Sequence, residues 1–397
     1  MSRIKFHLEL GEPVVIAQGD VKGWGPYQFP KMHRTKGGSI YCRWHMGADV
    51  VEGGGLINGA PHAVSDDNGK TWRAYTPEDT VAYQAMMPNG KAFAYFNGKL
   101  AHTVDYDHNR YRKAFDGIQN TAVYLADDIP ELDRSISATE YDPVTGELNT
   151  FPVTLNWPYM PVSFYRRNTG DLVYPPAQTM AISNHVGELV LGDGIYFCTY
   201  ARGFDSKTGA FSEYSKYYSV YVFRSCDCAR TWDYISQVSV DKDTFSGKGD
   251  FEGFCEPMMS QMPDGSVVML LRTGSNHTSY LVRSTDRCRT WSKPERFDDF
   301  GVFPQILKLD CGVTLATYGR PEMRIRATSD PAGLDWEEPI RMELSPGEDC
   351  KSCFYTHLMA LDATTALMAY SDCHFPDANG NPKKSVVVRT VKAVIDG

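Results

Sequence analysis

Short apolar runs separated by turns recur along this chain in a strand–turn–strand pattern. The first unit runs Phe29-Pro30-Lys31-Met32, turns at Gly37-Gly38 and returns as Ile40-Tyr41-Cys42-Arg43. The next runs Tyr83 to Met87, turns at Asn89-Gly90 and returns as Ala92 to Tyr95. The pattern recurs at Val186 to Leu191 with Tyr196 to Arg202, around Asp193-Gly194. It recurs at Glu256 to Met259 with Val267 to Arg272, around Asp264-Gly265. The last two units are Phe303 to Leu307 with Thr314 to Arg320, and Tyr355 to Met359 with Ala366 to Asp372. Asn-Gly and Asp-Gly favour tight hairpins because they tolerate positive φ, so the pattern predicts antiparallel hairpins.

A second repeat sits downstream of the hairpins. Ser65-Asp66-Asp67-Asn68-Gly69-Lys70-Thr71-Trp72 returns as Ser225 to Trp232 and again as Ser284 to Trp291. The shared pattern is Ser-x-Asp-x-x-x-Thr-Trp, and a worn copy runs from Ser329 to Trp336. An Asp in a tight turn accepts backbone N–H bonds from residues just ahead, and the Trp closes the turn by packing beneath it. Where copies are close they recur at roughly 45–60 residues, the period of one four-stranded sheet.

Together the repeats predict an all-β, six-bladed β-propeller of four-stranded antiparallel blades, spanning residues 1–397 as a single domain. Ile4 to Leu10, or Val14-Val15-Ile16, is expected to pair with Ser385 to Arg389 and close the last blade. The stretch from about 100 to 180 fits the pattern poorly, and a seventh blade there is the alternative.

Composition narrows the partners. A net charge of −9 argues against nucleic acid, which calls for a basic stripe. No stretch reads as a membrane-spanning helix, and Met1 to His7 lacks the apolar core of a signal peptide. The expectation is a cytoplasmic protein, or a secreted one if a leader has been removed. Cys226-x-Cys228 and Cys350-x-x-Cys353 have metal-ligand spacing. The first lies inside a turn repeat and the second lacks a partner pair, so neither metal nor cofactor is expected.

In an antiparallel hairpin the start of one strand and the end of the next share an end. That end gathers Gln28, His185, Glu256 and Tyr355 with Arg43, His45, Arg202, Arg272 and Arg320. Four arginines aimed at one concavity repel each other unless an anion or carboxylates balance them. The Arg fork matches a carboxylate bidentately, so an acidic sugar in a glycan is the expected substrate.

At these residues the chain resembles the sialidase superfamily, whose members carry Asp-box turns on a six-bladed propeller. Glu256-Pro257-Met258-Met259, Pro263-Asp264-Gly265 and Arg272 resemble that family's Glu-to-Arg unit, and Phe354 to Leu358 resembles its Tyr strand. The resemblance implies that Tyr355 is the nucleophile, that Glu256 takes its proton and that Arg272 grips the substrate carboxylate. It implies Asp49 as acid/base, with His45 and Glu52 competing. Arg320 and Arg324 compete for a third arginine position. One departure stands out: Tyr27-Gln28-Phe29-Pro30 carries Gln28 where the family has an arginine.

The resulting expectation is a glycoside hydrolase acting on a terminal acidic sugar. Tyr suits such a substrate because it avoids the repulsion that a carboxylate nucleophile would meet. Two other classes stay open: a uronate lyase using Tyr with His45, His185 or His357, and a carbohydrate-binding propeller without catalysis.

Overall fold

A computed structural model describes residues 3–21, 25–47, 61–97, 102–104, 114–116, 121–131, 135–166, 172–174, 188–342 and 355–396. They are almost entirely strands and turns. Among them no helix is long and apolar enough to cross a membrane. The chain divides into two compact units. One comprises Met1–Ala82, Ser260–Leu270 and Asp298–Gly397; the other comprises Tyr83–Met259 and Leu271–Phe297.

The first unit holds three sheets. One pairs Gln28–Thr35 with Ile40–His45, followed by His62–Ser65 and Arg73–Ala74. Another runs Val302–Lys308, Thr314–Gly319, Met323–Thr328 and Ile340–Met342. The third contains His357–Ala360, Thr365–Pro376 and Pro382–Ile395. Both N-terminal segments pair with this last strand: Phe6–Leu10 along Val391 to Ile395, and Val14–Gly19 along Lys384 to Val388. Two short strands therefore cover one long edge that would otherwise offer unpaired backbone groups. Between them Gly11 donates its N–H to Thr390 and accepts from Arg389 Nε at 2.7 Å. A Cβ at Gly11 would lie 2.2 Å from Thr390 Oγ1, so this crossing favours the smallest residue.

The second unit packs Ala92–Asn97 and Ile136–Tyr141 against Gly194–Arg202, Tyr218–Ser225 and Thr231–Val238. Phe93, Phe96, Phe197 and Phe223 surround the fully buried Trp232, with Phe197 4.8 Å and Phe96 5.5 Å from its ring. A separate five-stranded sheet is built from His102–Val104, Ala114–Asp116, Thr121–Leu125, Pro161–Arg166 and Leu172–Tyr174.

The turn repeat works as a hydrogen-bonded clasp. Ser65 Oγ donates to Asp67 and accepts from Gly69 N–H, while Asp67 accepts from the N–H groups of Lys70 and Thr71. The Ser-to-Asp bond, the N–H bond to Ser and the Thr N–H bond to Asp recur around Ser225 and Asp227, and around Ser284 and Asp286. In all three, two residues take left-handed φ: Asn68-Gly69, Cys228-Ala229 and Arg287-Cys288. Position eight supplies the Trp.

The worn copy needs a correction. Thr328, not Ser329, supplies the hydroxyl, accepting from Asp330 N–H at 2.9 Å, while Asp330 accepts from Leu334 N–H and Asp335 N–H. The clasp is one residue longer, and Trp336 Nε1 still closes on Gly333 O. Ser329 instead holds the N-terminal segment, accepting from Ile4 N–H and donating to Ile4 O.

Two stability predictions follow from this packing. Trp232→Ala removes the largest fully buried ring and should cost about 3–5 kcal/mol by denaturant unfolding; a loss under about 1 kcal/mol would contradict the packing. The Thr71 hydroxyl and backbone N–H hold the Asp67 carboxyl down at about 2, below its unfolded value of about 3.9. Its contribution is therefore present above about pH 4 and lost as pH falls through about 2, because the unfolded chain binds the proton first. Asp67→Asn should flatten that part of the pH–stability profile; an unchanged slope would contradict the clasp.

Candidate active site

Three strands carry, before a proline, a residue with a left-handed backbone: near the start of Gln28–Thr35 and of Val302–Lys308, and midway along Phe251–Gln261. Phe29 has φ 56°, Glu256 43° and Phe303 44°. A pre-proline residue is normally pushed into extended conformations, and bulky L-residues at positive φ are strained. The ladders shift register at two of these points, between Gln28 and Lys31 and between Val302 and Gln305. Such bulges re-aim side chains at the end of a strand.

In the first unit the re-aimed rings meet Tyr355. Phe303 stacks flat on it, with centroids 4.3 Å apart and planes at 6°. Phe29 meets its other side edge-on at 4.8 Å and also touches His45 at 5.6 Å. His45 donates from Nδ1 to Gly25 O at 3.3 Å. Nε2 of the neutral ring therefore carries the lone pair and can accept a proton. Gln28 lies opposite His45 in the ladder but is fully buried, accepting from Gly25 N–H at 3.2 Å through Oε1. Its amide serves this turn. Arg43, two positions before His45, is exposed.

The two competing arginines are also in this unit. Arg324 is saturated: Nη1 donates to Asp298 and Nε to Glu322, and its guanidinium carbon lies 4.3 Å above the Phe300 ring. Asp298 also accepts from the Tyr318 hydroxyl, and the bonds from Tyr318 and Arg324 overcome burial to hold the carboxyl below its ordinary value. Arg324 is thus a brace between strands. Arg320 is half-buried just past the strand end, with φ 55°.

In the second unit the Glu-to-Arg hairpin closes on itself. Arg272 Nη1 donates to Glu256 Oε1 at 2.6 Å, and both side chains are buried. Nη2 reaches Glu252 at 3.3 Å. Glu252 also accepts a weak bond from the Cys255 thiol, whose burial pushes its pKa well up and keeps it protonated. Buried Arg202 lies opposite Tyr218 in the ladder, its guanidinium carbon 3.9 Å above that ring. Nearby, His277 Nε2 meets Asp250, and this bond holds the carboxyl down.

Of the residues expected from sequence, Gln28, Arg43, His45, Arg320 and Tyr355 fall in the first unit. Arg202, Glu256 and Arg272 fall in the second. Asp49 and His185 lie outside the described residues, as does the Cys350 to Cys353 pair. Sequence reasoning missed Glu252, Tyr218 and the ring partners Phe29 and Phe303. A signal for the rings existed: Phe29, Glu256 and Phe303 each precede a proline. Among the described residues no group of three or more His, Cys, Asp or Glu is placed to hold a metal.

The model of the BNR repeat-like domain matches residues 175–376, just over half of the chain. No curated protein matches it in sequence. Among solved structures, a protein of unknown function from Dyadobacter fermentans is 16% identical with a TM-score of 0.59, covering 98% of this chain and 99% of that one. An α-L-arabinanase from Penicillium chrysogenum is 13% identical with a TM-score of 0.48, covering 96% of this chain and 98% of that one. The Hadza microbial sialidase Hz136 is 12% identical, also with a TM-score of 0.48, covering 93% of this chain and 65% of that one. At these identities the Dyadobacter likeness speaks for fold alone, and the two lower scores carry no argument. The family match and the hydrogen-bonded clasps agree: the chain belongs to the BNR repeat-like family.

Proposed function

We propose that this protein is a sialidase-like glycoside hydrolase that removes a terminal acidic sugar from a glycan. The reading includes one six-bladed propeller of four-stranded blades. In support, Phe96 lies 5.0 Å from Phe197 within one aromatic core, and we read the five-stranded sheet at 102–174 as an addition rather than a seventh blade.

The observation that carries the proposal is the buried Glu256–Arg272 pair at 2.6 Å, with Glu256 held in a strained left-handed backbone. A buried guanidinium with two carboxylate neighbours keeps a fixed orientation. A substrate carboxylate would meet Arg272, with Arg202 and Arg320 as further contacts. Tyr355, held in orientation by Phe303 and Phe29, would attack the anomeric carbon as its proton passes to Glu256. The leaving oxygen would take a proton from Asp49, or from His45 when its ring is charged. Water would then attack the Tyr-linked sugar, its proton passing to the group that protonated the leaving oxygen, while Glu256 returns the phenol proton and the sugar is released. No cofactor enters the reaction.

The decisive experiment is a screen of purified protein against sialosides, uronate glycans and neutral glycosides. Release of a terminal acidic sugar is expected, and Tyr355→Phe should lower kcat by at least about a hundredfold. An unsaturated, ultraviolet-absorbing uronate product would instead identify a lyase, and normal turnover by Tyr355→Phe would remove the nucleophile assignment.

Gln28 sets a second expectation. A charge-assisted hydrogen bond contributes about 1.5–3 kcal/mol, so its absence should cost about ten- to a hundredfold on ordinary sialosides. A fluorogenic sialoside should give kcat/KM below about 10⁴ M⁻¹s⁻¹. Because Gln28 is fully buried, Gln28→Arg should lower the melting temperature without restoring activity. Efficient sialoside hydrolysis by the native chain would contradict this.

A further inference from the structure

The sheet that carries Gln28 and His45 continues into a row of cations that the proposed reaction leaves unused. Lys31 lies opposite Arg43, and Arg43 opposite His62. One step along, His33 lies opposite Tyr41. Like charges facing each other across a ladder are destabilising, and this chain, at −9 overall, has carboxylates in excess. Arg43 adds to the lowering of all three histidines here. Burial first, then Arg43 and Lys31, pushes His33 down to about 4. Burial, then His33, Lys31 and Arg43, pushes His357 to about 3. Burial and then Arg43 lower His62.

The geometry around the row is that of a binding surface. Arg43 is exposed, and among the described residues its guanidinium makes no hydrogen bond or ion pair. The Tyr41 hydroxyl lies 2.9 Å from His62 Nδ1, and the Tyr75 ring stands 4.8 Å from His62 and 5.7 Å from Tyr41. His357 sits 6.3 Å from His33, with its Nδ1 buried and lacking a hydrogen-bond partner.

We propose that this face is an anion site that receives the carboxylate of a uronic acid residue in a bound glycan. The Arg43 fork matches two coplanar carboxylate oxygens, and the Lys31 charge lies alongside. The exposed part of Tyr75 offers apolar surface to the C–H face of a sugar ring. An acidic overall charge keeps nucleic acid phosphates away, which favours a single sugar carboxylate over a polyphosphate chain. The site does not depend on Tyr355 chemistry, so it can stand or fall separately from the hydrolase reading.

Imidazole resonances of the full chain, followed by NMR during titration with glucuronate, test it. Acetate and glucose serve as controls. Glucuronate should move the His62 and His33 signals and raise their titration midpoints by about one pH unit, as a nearby anion does. Acetate should bind at least about tenfold more weakly, and glucose should leave the signals in place. Arg43→Gln, at an exposed position that folding does not need, should weaken glucuronate about tenfold or more. Unmoved signals, equal binding of acetate, or unchanged affinity in Arg43→Gln would each overturn the proposal.

Discussion

The left-handed step before proline at Phe29, Glu256 and Phe303 is the constraint on which the candidate site rests. Each costs about 1–3 kcal/mol, so it persists only where neighbours over-determine it. The neighbours are visible. Phe303 and Phe29 pack on Tyr355, and Glu256 is fixed by Arg272. In return the step breaks the regular alternation of the strand, so residues that would pair across the ladder turn toward its end. The Asp-box clasps hold turns elsewhere in the fold and leave those strand ends available for chemistry.

Charge is sorted unevenly around this frame. Arg272 sits between two carboxylates, and Arg324 between Asp298 and Glu322. Both are neutralised and orientated. The sheet holding Gln28 differs: the strand start carries a buried amide, while Lys31 and Arg43 lie a few residues along.

Much of the fold was legible because its turns are chemically marked. Asn89-Gly90, Asp264-Gly265 and their equivalents can hardly be anything but hairpins, and each predicted hairpin is paired in the structure. The Ser-x-Asp phrase was legible for the same reason, and it misled only where Thr328 replaced Ser and the turn gained a residue. The sheet at 102–174 was not legible, since several of its strands are three residues long and pair far apart in sequence, such as His102 with Tyr174. In the candidate site, the Glu256–Arg272 pairing follows from a 16-residue offset that spans one hairpin. The bracing role of Arg324 did not, because it depends on Asp298, 26 residues away. The face of His33, His62 and Tyr41 was missed because it shows only in register.

The central claim is that Tyr355 is a nucleophile acting on a glycan. Mass spectrometry of the intact chain, after incubation with fluorinated glycosyl fluorides of acidic and neutral sugars, tests it most directly. The account predicts a one-sugar adduct with an acidic reagent, mapping to the peptide that contains Tyr355 and absent in Tyr355→Phe. An adduct on another residue, or labelling that survives in Tyr355→Phe, would contradict it.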